Sequence, residues 1–248
     1  YYNYSAQHLW DKNIFVQGHY QRELGQRWAV QASGKWNWSY QHYLDPAYNN
    51  TEGKTENNYY QQEYYLSTSV LYRLFDSLSF SFSSDESVNR MNADLYDFSY
   101  PQRFTWLTAL AAKYVDGQFT VSASLLSTLT DEHVRHGEPG DNYHRLSPFI
   151  SLSYKPFGKH DLRLRFFYKN IFRLPTFNDL YYTSIGNTGL SPERTNQFNA
   201  GITYSKEKWG ILSYITASVD AYYNKVSDKI IAIPTKNLFI WSMTNLGK

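Results

Sequence analysis

Residues 28–40, WAVQASGKWNWSY, alternate. Trp28, Val30, Ala32, Gly34, Trp36, Trp38 and Tyr40 are apolar or small, and Ala29, Gln31, Ser33, Lys35, Asn37 and Ser39 between them are polar apart from one alanine. A period of two is a strand period, and successive strand side chains point to opposite faces, so the stretch has one apolar face and one wet face. Its rings stand at its ends, with only Val30, Ala32 and Gly34 between Trp28 and the Trp36–Tyr40 cluster. A soluble sandwich places its largest rings in mid-strand, whereas a membrane barrel places them at the two interfaces, where an amphipathic ring sits at headgroup depth.

The neighbouring segments keep the same accounts. Val16, Gly18 and Tyr20 share the even face of residues 14–22, and Gly25 can take the left-handed position of a three-residue hairpin loop, which preserves parity. Tyr60, Tyr64, Leu66, Val70, Tyr72 and Leu74 resume the even face, followed by a short turn at Phe75–Ser77, then Leu78, Phe80 and Phe82. Phe104, Trp106, Leu110, Ala112 and Tyr114 end at Asp116-Gly117, a two-residue hairpin signal that must swap parity. It does: Phe119, Val121, Ala123, Leu125 and Leu129 are odd. Further apolar rows run through Leu146–Tyr154, Leu162–Tyr168, Phe198–Tyr204 and Ile215–Tyr223, and Arg163, Arg165 and Lys169, which would be costly against lipid, define an inner wall.

Polar segments that show no alternation are expected to be long loops: 41–58, 85–102, 131–145, 171–193 and 225–240. Short and long connections therefore alternate, as in an up-and-down outer-membrane barrel with tight turns at one rim and long loops at the other. The fold expected is an all-β, antiparallel up-and-down transmembrane β-barrel with about ten strands of about 10 residues or more. Polar inner rows imply a wide lumen, hence a barrel with more strands than these.

Composition sets the outer bounds. Aromatic residues make up 19% of the 248 residues and charged residues another 19%. Mean hydropathy is -0.58, and no run approaches the ~18 apolar residues of a membrane helix. Zero Cys excludes thiolate metal sites and thiol nucleophiles, and a net charge of +2 with scattered basic residues gives no sign of nucleic acid. The first residues, YYNYSAQHLW, are strand formers without the charged and apolar pattern of an export segment, and the sequence begins at Tyr1 without Met, so the chain is expected to be a fragment of a longer precursor.

Residues 172–193, FRLPTFNDLYYTSIGNTGLSPE, resemble the signature of the TonB-dependent outer-membrane receptor family, with Arg173, Pro175, Thr176, Phe177, Leu180, Tyr181, Gly186, Asn187, Leu190, Pro192 and Glu193 at the matching places. VDAYYNKVSDKI, residues 219–230, is similar to the family's next common strand end. The resemblance implies a 22-stranded barrel occluded by an amino-terminal plug that contacts TonB, and active uptake of a scarce ligand: an iron-siderophore complex, haem, cobalamin or a glycan. It implies an outer-membrane location in a Gram-negative bacterium, membrane lipid and a small chelate ligand as partners, and no covalent chemistry. No resident cofactor or metal is implied, because any metal would travel with the ligand. On this expectation residues 1–248 are a partial barrel domain, with the plug and the closing strands outside them.

Candidate ligand contacts are loop aromatics and histidines: Tyr43, Tyr48, Tyr96, Tyr100, Tyr181 and Tyr182 could stack on a ring or a sugar, and His133, His136 and His144 could ligate, although their spacing matches no standard metal motif. Arg163, Arg165 and Lys169 suit either focusing of an anionic ligand or pairing with acidic groups. Arg173, Asn187 and Glu193 suit fixing of a loop better than ligand contact. Two other functions compete with transport: a smaller closed outer-membrane barrel acting as pore or enzyme, and a soluble β-rich glycan-binding module.

Overall fold

A computed structural model describes residues 6–46, 53–158, 161–182, 185–234 and 241–247. The alternating segments form ten antiparallel strands hydrogen-bonded in chain order. They are β1 (His8–Leu24), β2 (Trp28–Asp45), β3 (Thr55–Phe75), β4 (Leu78–Ala93), β5 (Gln102–Val115), β6 (Phe119–His133), β7 (Tyr143–Tyr154), β8 (Asp161–Arg173), β9 (Glu193–Trp209) and β10 (Leu212–Ser227). A short helix α1 (Phe177–Tyr181) lies between β8 and β9, and β11 (Lys229–Pro234) pairs with β12 (Trp241–Leu246) in a separate hairpin. No helix among the described residues is long and apolar enough to cross a membrane, which says nothing of a barrel.

Turn chemistry holds the register. Gly25 takes φ +68 and sets Leu24 opposite Trp28. At the β3–β4 turn a bulge between Arg73 and Phe75 restores the parity that a two-residue turn would have swapped. The β5–β6 turn swaps parity as the Asp-Gly signal requires, with Val115 opposite Thr120 and the Asp116 N–H donating to Phe119 O at 2.9 Å. Gly117 does not take a positive φ, and Asp116 Oδ1 holds the turn by accepting from the Phe119 and Gln118 N–H groups at 2.7 and 2.8 Å. Those two donors hold the Asp116 carboxyl below the usual carboxylate range. Pro148, which lacks an N–H, explains why the β7–β8 ladder stops at Phe149 opposite Lys169.

The strands run 12 to 21 residues, well past the ends of their apolar rows. The expected loops shrink accordingly: 41–58 to Pro46–Lys54, 85–102 to Asp94–Pro101, 131–145 to Val134–Asn142, and 225–240 to a hairpin that begins at Lys229. The backbone ladder persists where both faces meet water, so hydrophobic alternation marks only the lipid-spanning part of each strand.

Register puts the apolar rows on one continuous face. Trp28 lies opposite Tyr72, Val30 opposite Val70, Val70 opposite Phe82, Phe82 opposite Leu110 and Leu110 opposite Leu125. Leu66 and Leu110 are 51% and 62% exposed, and none of the described residues covers this face there. A contiguous apolar surface of this extent exceeds what water-facing proteins carry and requires hydrocarbon. Aromatic pairs edge it at both ends: Trp28–Tyr72 and Phe119–Tyr154 near the short turns, at ring distances of 4.4 and 4.5 Å, and Tyr40–Tyr60 and Tyr168–Phe198 near the long loops, at 5.1 and 4.9 Å. From Trp28 to Trp38 a strand advances about 33 Å, and a tilt of ~40–45° reduces that to about 25 Å of height, the apolar band of an outer-membrane barrel.

The opposite face is wet. Ser67 Oγ donates to Asp85 at 2.6 Å, and Lys35 pairs with Glu63 at 3.1 Å. Buried apolar side chains gather, Ala29 apart, in one cluster of Tyr59, Met91, Ala93, Phe98, Phe177, Leu180, Tyr181, Leu190 and Ile230. Tyr59, Met91 and Ala93 are odd residues of β3 and β4, so this cluster covers the wet face at its long-loop end.

Candidate functional site

The segment between β8 and β9 folds back over that end of the wet face. Thr176 caps α1 by accepting from the Asp179 N–H, and Asp179 returns the bond to the Thr176 N–H at 2.8 Å, a closed capping box. Phe177, Leu180 and Tyr181 of α1 are buried in the cluster. Gly186 closes the turn after the helix: its N–H donates to Tyr182 O at 2.8 Å, and a Cβ there would lie 2.6 Å from Leu180 O, so no side chain fits. Asn187 N–H then donates to Asp179 O at 2.9 Å.

A buried polar knot ties the segment to β5 and β6. Arg103 and Glu132 stand directly opposite each other, and their side chains are only 12% and 2% exposed. Arg103 Nε donates to Glu132 Oε2, and Nη1 donates to Pro175 O at 2.7 Å, with the guanidinium 5.1 Å above the Phe177 ring. Tyr181 OH donates to Glu132 Oε1 and accepts from the Gly140 N–H at 2.9 Å. Burial, then the Glu132 carboxylate, push the Tyr181 phenol well above its ordinary value. Gly140 is needed for this approach, since its Cβ would meet Glu132 Oε1 at 2.9 Å.

A second set of contacts clasps the β11–β12 hairpin. Arg173 pairs with Glu193 at 3.0 Å and reaches Asp179 at 3.8 Å, while Glu193 Oε1 accepts from the Ile230 N–H at 2.7 Å. Asn187 Nδ2 donates to Met243 O at 3.0 Å, and Asn245 bonds both the Ser191 N–H and the Ser191 O at 2.8 Å. Arg173, Asn187 and Glu193 thus each hold a structural partner.

Beside α1 a cavity of 580 Å³ opens between the fold-back and the wet face of β1 and β2, lined among others by Leu9, Gln41, Tyr43, Asn178, Tyr182 and Met243. Tyr182 stacks on Tyr59 at 4.7 Å, and burial, with the neighbouring Tyr59 next, pushes its phenol up to about 12. Amide, phenol and thioether groups line it together with the His8 imidazole and the Asp179 carboxylate, which is held by the Thr176 N–H, so the surface is polar and, among the described residues, carries no lysine or arginine.

The remaining candidates do not converge. Tyr96 is fully exposed, His133 faces Asp131 at 3.0 Å at the end of β6, and His136 lies 3.7 Å from Asp97 with its ring 6.2 Å from Tyr100. His144 approaches Ser127 Oγ at 3.4 Å, and Tyr48 lies outside the described residues. Arg163 and Lys169 are exposed on the wet face, and Arg165 pairs with Asp220 of the wall itself. Sequence reading overlooked Arg103 and Glu132, although the β5–β6 register sets 103 against 132 once the turn at Asp116 is fixed.

A family model described as TonB dependent receptor-like, beta-barrel matches residues 1–248. A stretch of 75 residues, 30% of the chain, is 35% identical to the vitamin B12 transporter BtuB of Vibrio vulnificus (strain YJ016), covering 11% of that protein. Among solved structures, the copper transporter OprC matches 95% of the chain and 41% of its own length, at TM-score 0.73 and 12% identity. The Serratia marcescens hemophore receptor HasR, solved with its hemophore HasA and heme, matches 96% of the chain and 44% of its own length, at TM-score 0.73 and 12% identity. These structures share the fold, and the chain spans less than half the length of each.

Proposed function

The chain belongs to the TonB dependent receptor-like β-barrel family, and from that premise we propose that it is part of the wall of an outer-membrane receptor that takes up a scarce ligand of the iron-siderophore, haem or cobalamin type. Uptake would be by binding at the long-loop end and gated passage through the lumen, without a covalent step. TonB would engage through a plug belonging to the full-length receptor, and membrane lipid would cover the apolar face.

The observation that supports this best is the fold-back of 174–192 over the wet face. It is pinned by Arg103, Glu132 and Tyr181 and leaves the 580 Å³ cavity open beside it. A wall with a dry, packed interior would have no such ceiling. The titles of the related proteins favour metal-bearing cargo: vitamin B12 for BtuB, copper for OprC and heme for HasR. The test is uptake of labelled ferric siderophore, haem and cobalamin by cells with and without the full-length gene. One of the three is expected to depend on the gene, and equal uptake of all three in both strains contradicts the reading.

A further inference from the structure

A second cleft, of 400 Å³, lies on the other side of the wall. It is lined by Tyr60, Gln62, Arg90, Asn92, Gln102 and Arg135 among others. Gln62, Arg90 and Gln102 stand opposite one another on β3, β4 and β5, all on the even, apolar face. One pair nearer the short turns, the same face carries Tyr64, Val88 and Phe104. The switch from Tyr64, Val88 and Phe104 to amide and guanidinium is the change expected where hydrocarbon gives way to headgroups. Farther down the same row of β4 the polar Ser84 and Glu86 bond each other at 2.6 Å, with Ser84 also accepting from the Trp106 indole. Phe82, in the middle of the apolar rows, is eight residues below Arg90 on β4, about 26 Å along the strand.

Arg135 comes to the cleft from the β6–β7 loop. Its N–H donates to Ser99 O at 2.8 Å, and its guanidinium lies 4.8 Å over the ring of Tyr100, a residue held at φ +48. Of the carboxylates on the same two loops, Asp97 lies at His136, Asp94 at Asn58 and Asp141 at Tyr143, while Glu138 is exposed and does not line the cleft. Among the described residues neither Arg90 nor Arg135 is in an ion pair, and no carboxylate lines the cleft. Two guanidiniums flanked by amide donors fit a phosphate oxyanion, and the outward face admits it only from the bilayer side.

We infer that this cleft seats the phosphate of a lipid headgroup in the leaflet on the long-loop side. The lipid's acyl chains would lie along the apolar rows below Arg90. The site is separate from ligand passage through the lumen and does not rest on it.

The test uses the full-length receptor carrying Arg90→Gln and Arg135→Gln together, compared with the parent and with Arg90→Lys and Arg135→Lys together. Each is purified in mild detergent and offered bisphosphorylated lipid A or its dephosphorylated form, with retained lipid counted by native mass spectrometry. Both arginines are exposed, so the variants should fold, which the heat-dependent gel mobility of the barrel reports. The parent is expected to retain the phosphorylated lipid, the glutamine variant to lose affinity by about tenfold or more, and the lysine variant, which keeps charge without the guanidinium fork, to fall between. Inorganic phosphate in large excess should not displace the lipid. Equal retention by the folded glutamine variant, equal retention of the dephosphorylated lipid, or displacement by inorganic phosphate would each overturn the inference, the last by making this a free-anion site.

Discussion

Arg165 on β8 reaches across β9 to Asp220 on β10, its Nη2 donating to both carboxylate oxygens at 3.0 and 3.1 Å. The strand between them carries Gly201 at the crossing point, where a Cβ would lie 2.2 Å from Asp220 Oδ1 and 3.1 Å from the guanidinium. The glycine is there to let a long cation and a short acid meet over it. The basic row on the wet face is therefore partly neutralised by the wall itself, leaving Arg163 and Lys169 as the members with no ion pair among the described residues.

Both partners of this bridge are near 40% exposed, so Asp220→Asn should change stability by less than about 1 kcal/mol. Gly201→Val should cost more, about 1–3 kcal/mol, because the new side chain has to displace the pair. Thermal unfolding of the full-length receptor, read as loss of heat-dependent gel mobility, separates the two; equal midpoints for both variants would contradict this account.

The Arg103–Glu132 knot is the opposite case. With the side chains 12% and 2% exposed, Arg103→Met leaves a buried carboxylate unpaired, at a cost of about 3–5 kcal/mol. Because the knot holds Pro175 and Tyr181, the cost should fall on the fold-back rather than on the ten-stranded sheet. Hydrogen exchange is expected to speed up across 174–192 while the sheet amides keep their protection.

At Gly186 the prediction is steric. Gly186→Ala places a Cβ against the Leu180 carbonyl, a backbone atom that cannot swing aside, and should cost about 1–3 kcal/mol in the fold-back. Limited proteolysis should then cut between α1 and β9, where the parent resists.

The barrel rhythm was legible in the sequence because parity is a strict constraint: one slipped residue turns a whole apolar row to the wrong face. Trp28, Val70, Phe82, Leu110 and Leu125 could be placed on one face from their numbers and the turns between them. Strand ends were not legible. Beyond the bilayer both faces of β3 and β4 meet water or the fold-back, so Glu56, Asn57 and Asn89 look like loop residues while still paired in the ladder. The fold-back was legible as a motif and not as geometry. Nothing in FRLPTFNDLYY says that Tyr181 will meet Glu132, 49 positions away in sequence, because that contact depends on where a loop lands.

The buried Tyr181 and the half-buried Tyr182 give a pH signature. Tyr182 is pushed up to about 12 from an ordinary value near 10, and Tyr181 rises too. In each case the folded state holds its proton more tightly than the unfolded state. The stabilisation is fully present below pH 10 and is lost as pH rises from about 10 towards 12. The protection of the fold-back relative to a Tyr182→Phe variant should therefore shrink across that window and be constant below it, as followed by proteolysis rate against pH.

The central claim is that even residues of β2 face hydrocarbon and odd residues face an aqueous lumen. The 248 residues contain no Cys, so Val30→Cys, Gln31→Cys, Ala32→Cys and Ser33→Cys can each carry a spin label in the full-length receptor reconstituted in lipid. Labels at 30 and 32 should relax with membrane-soluble oxygen, and labels at 31 and 33 with a water-soluble nickel chelate. Collisions that show no period of two, or that show it in the opposite phase, would contradict the account.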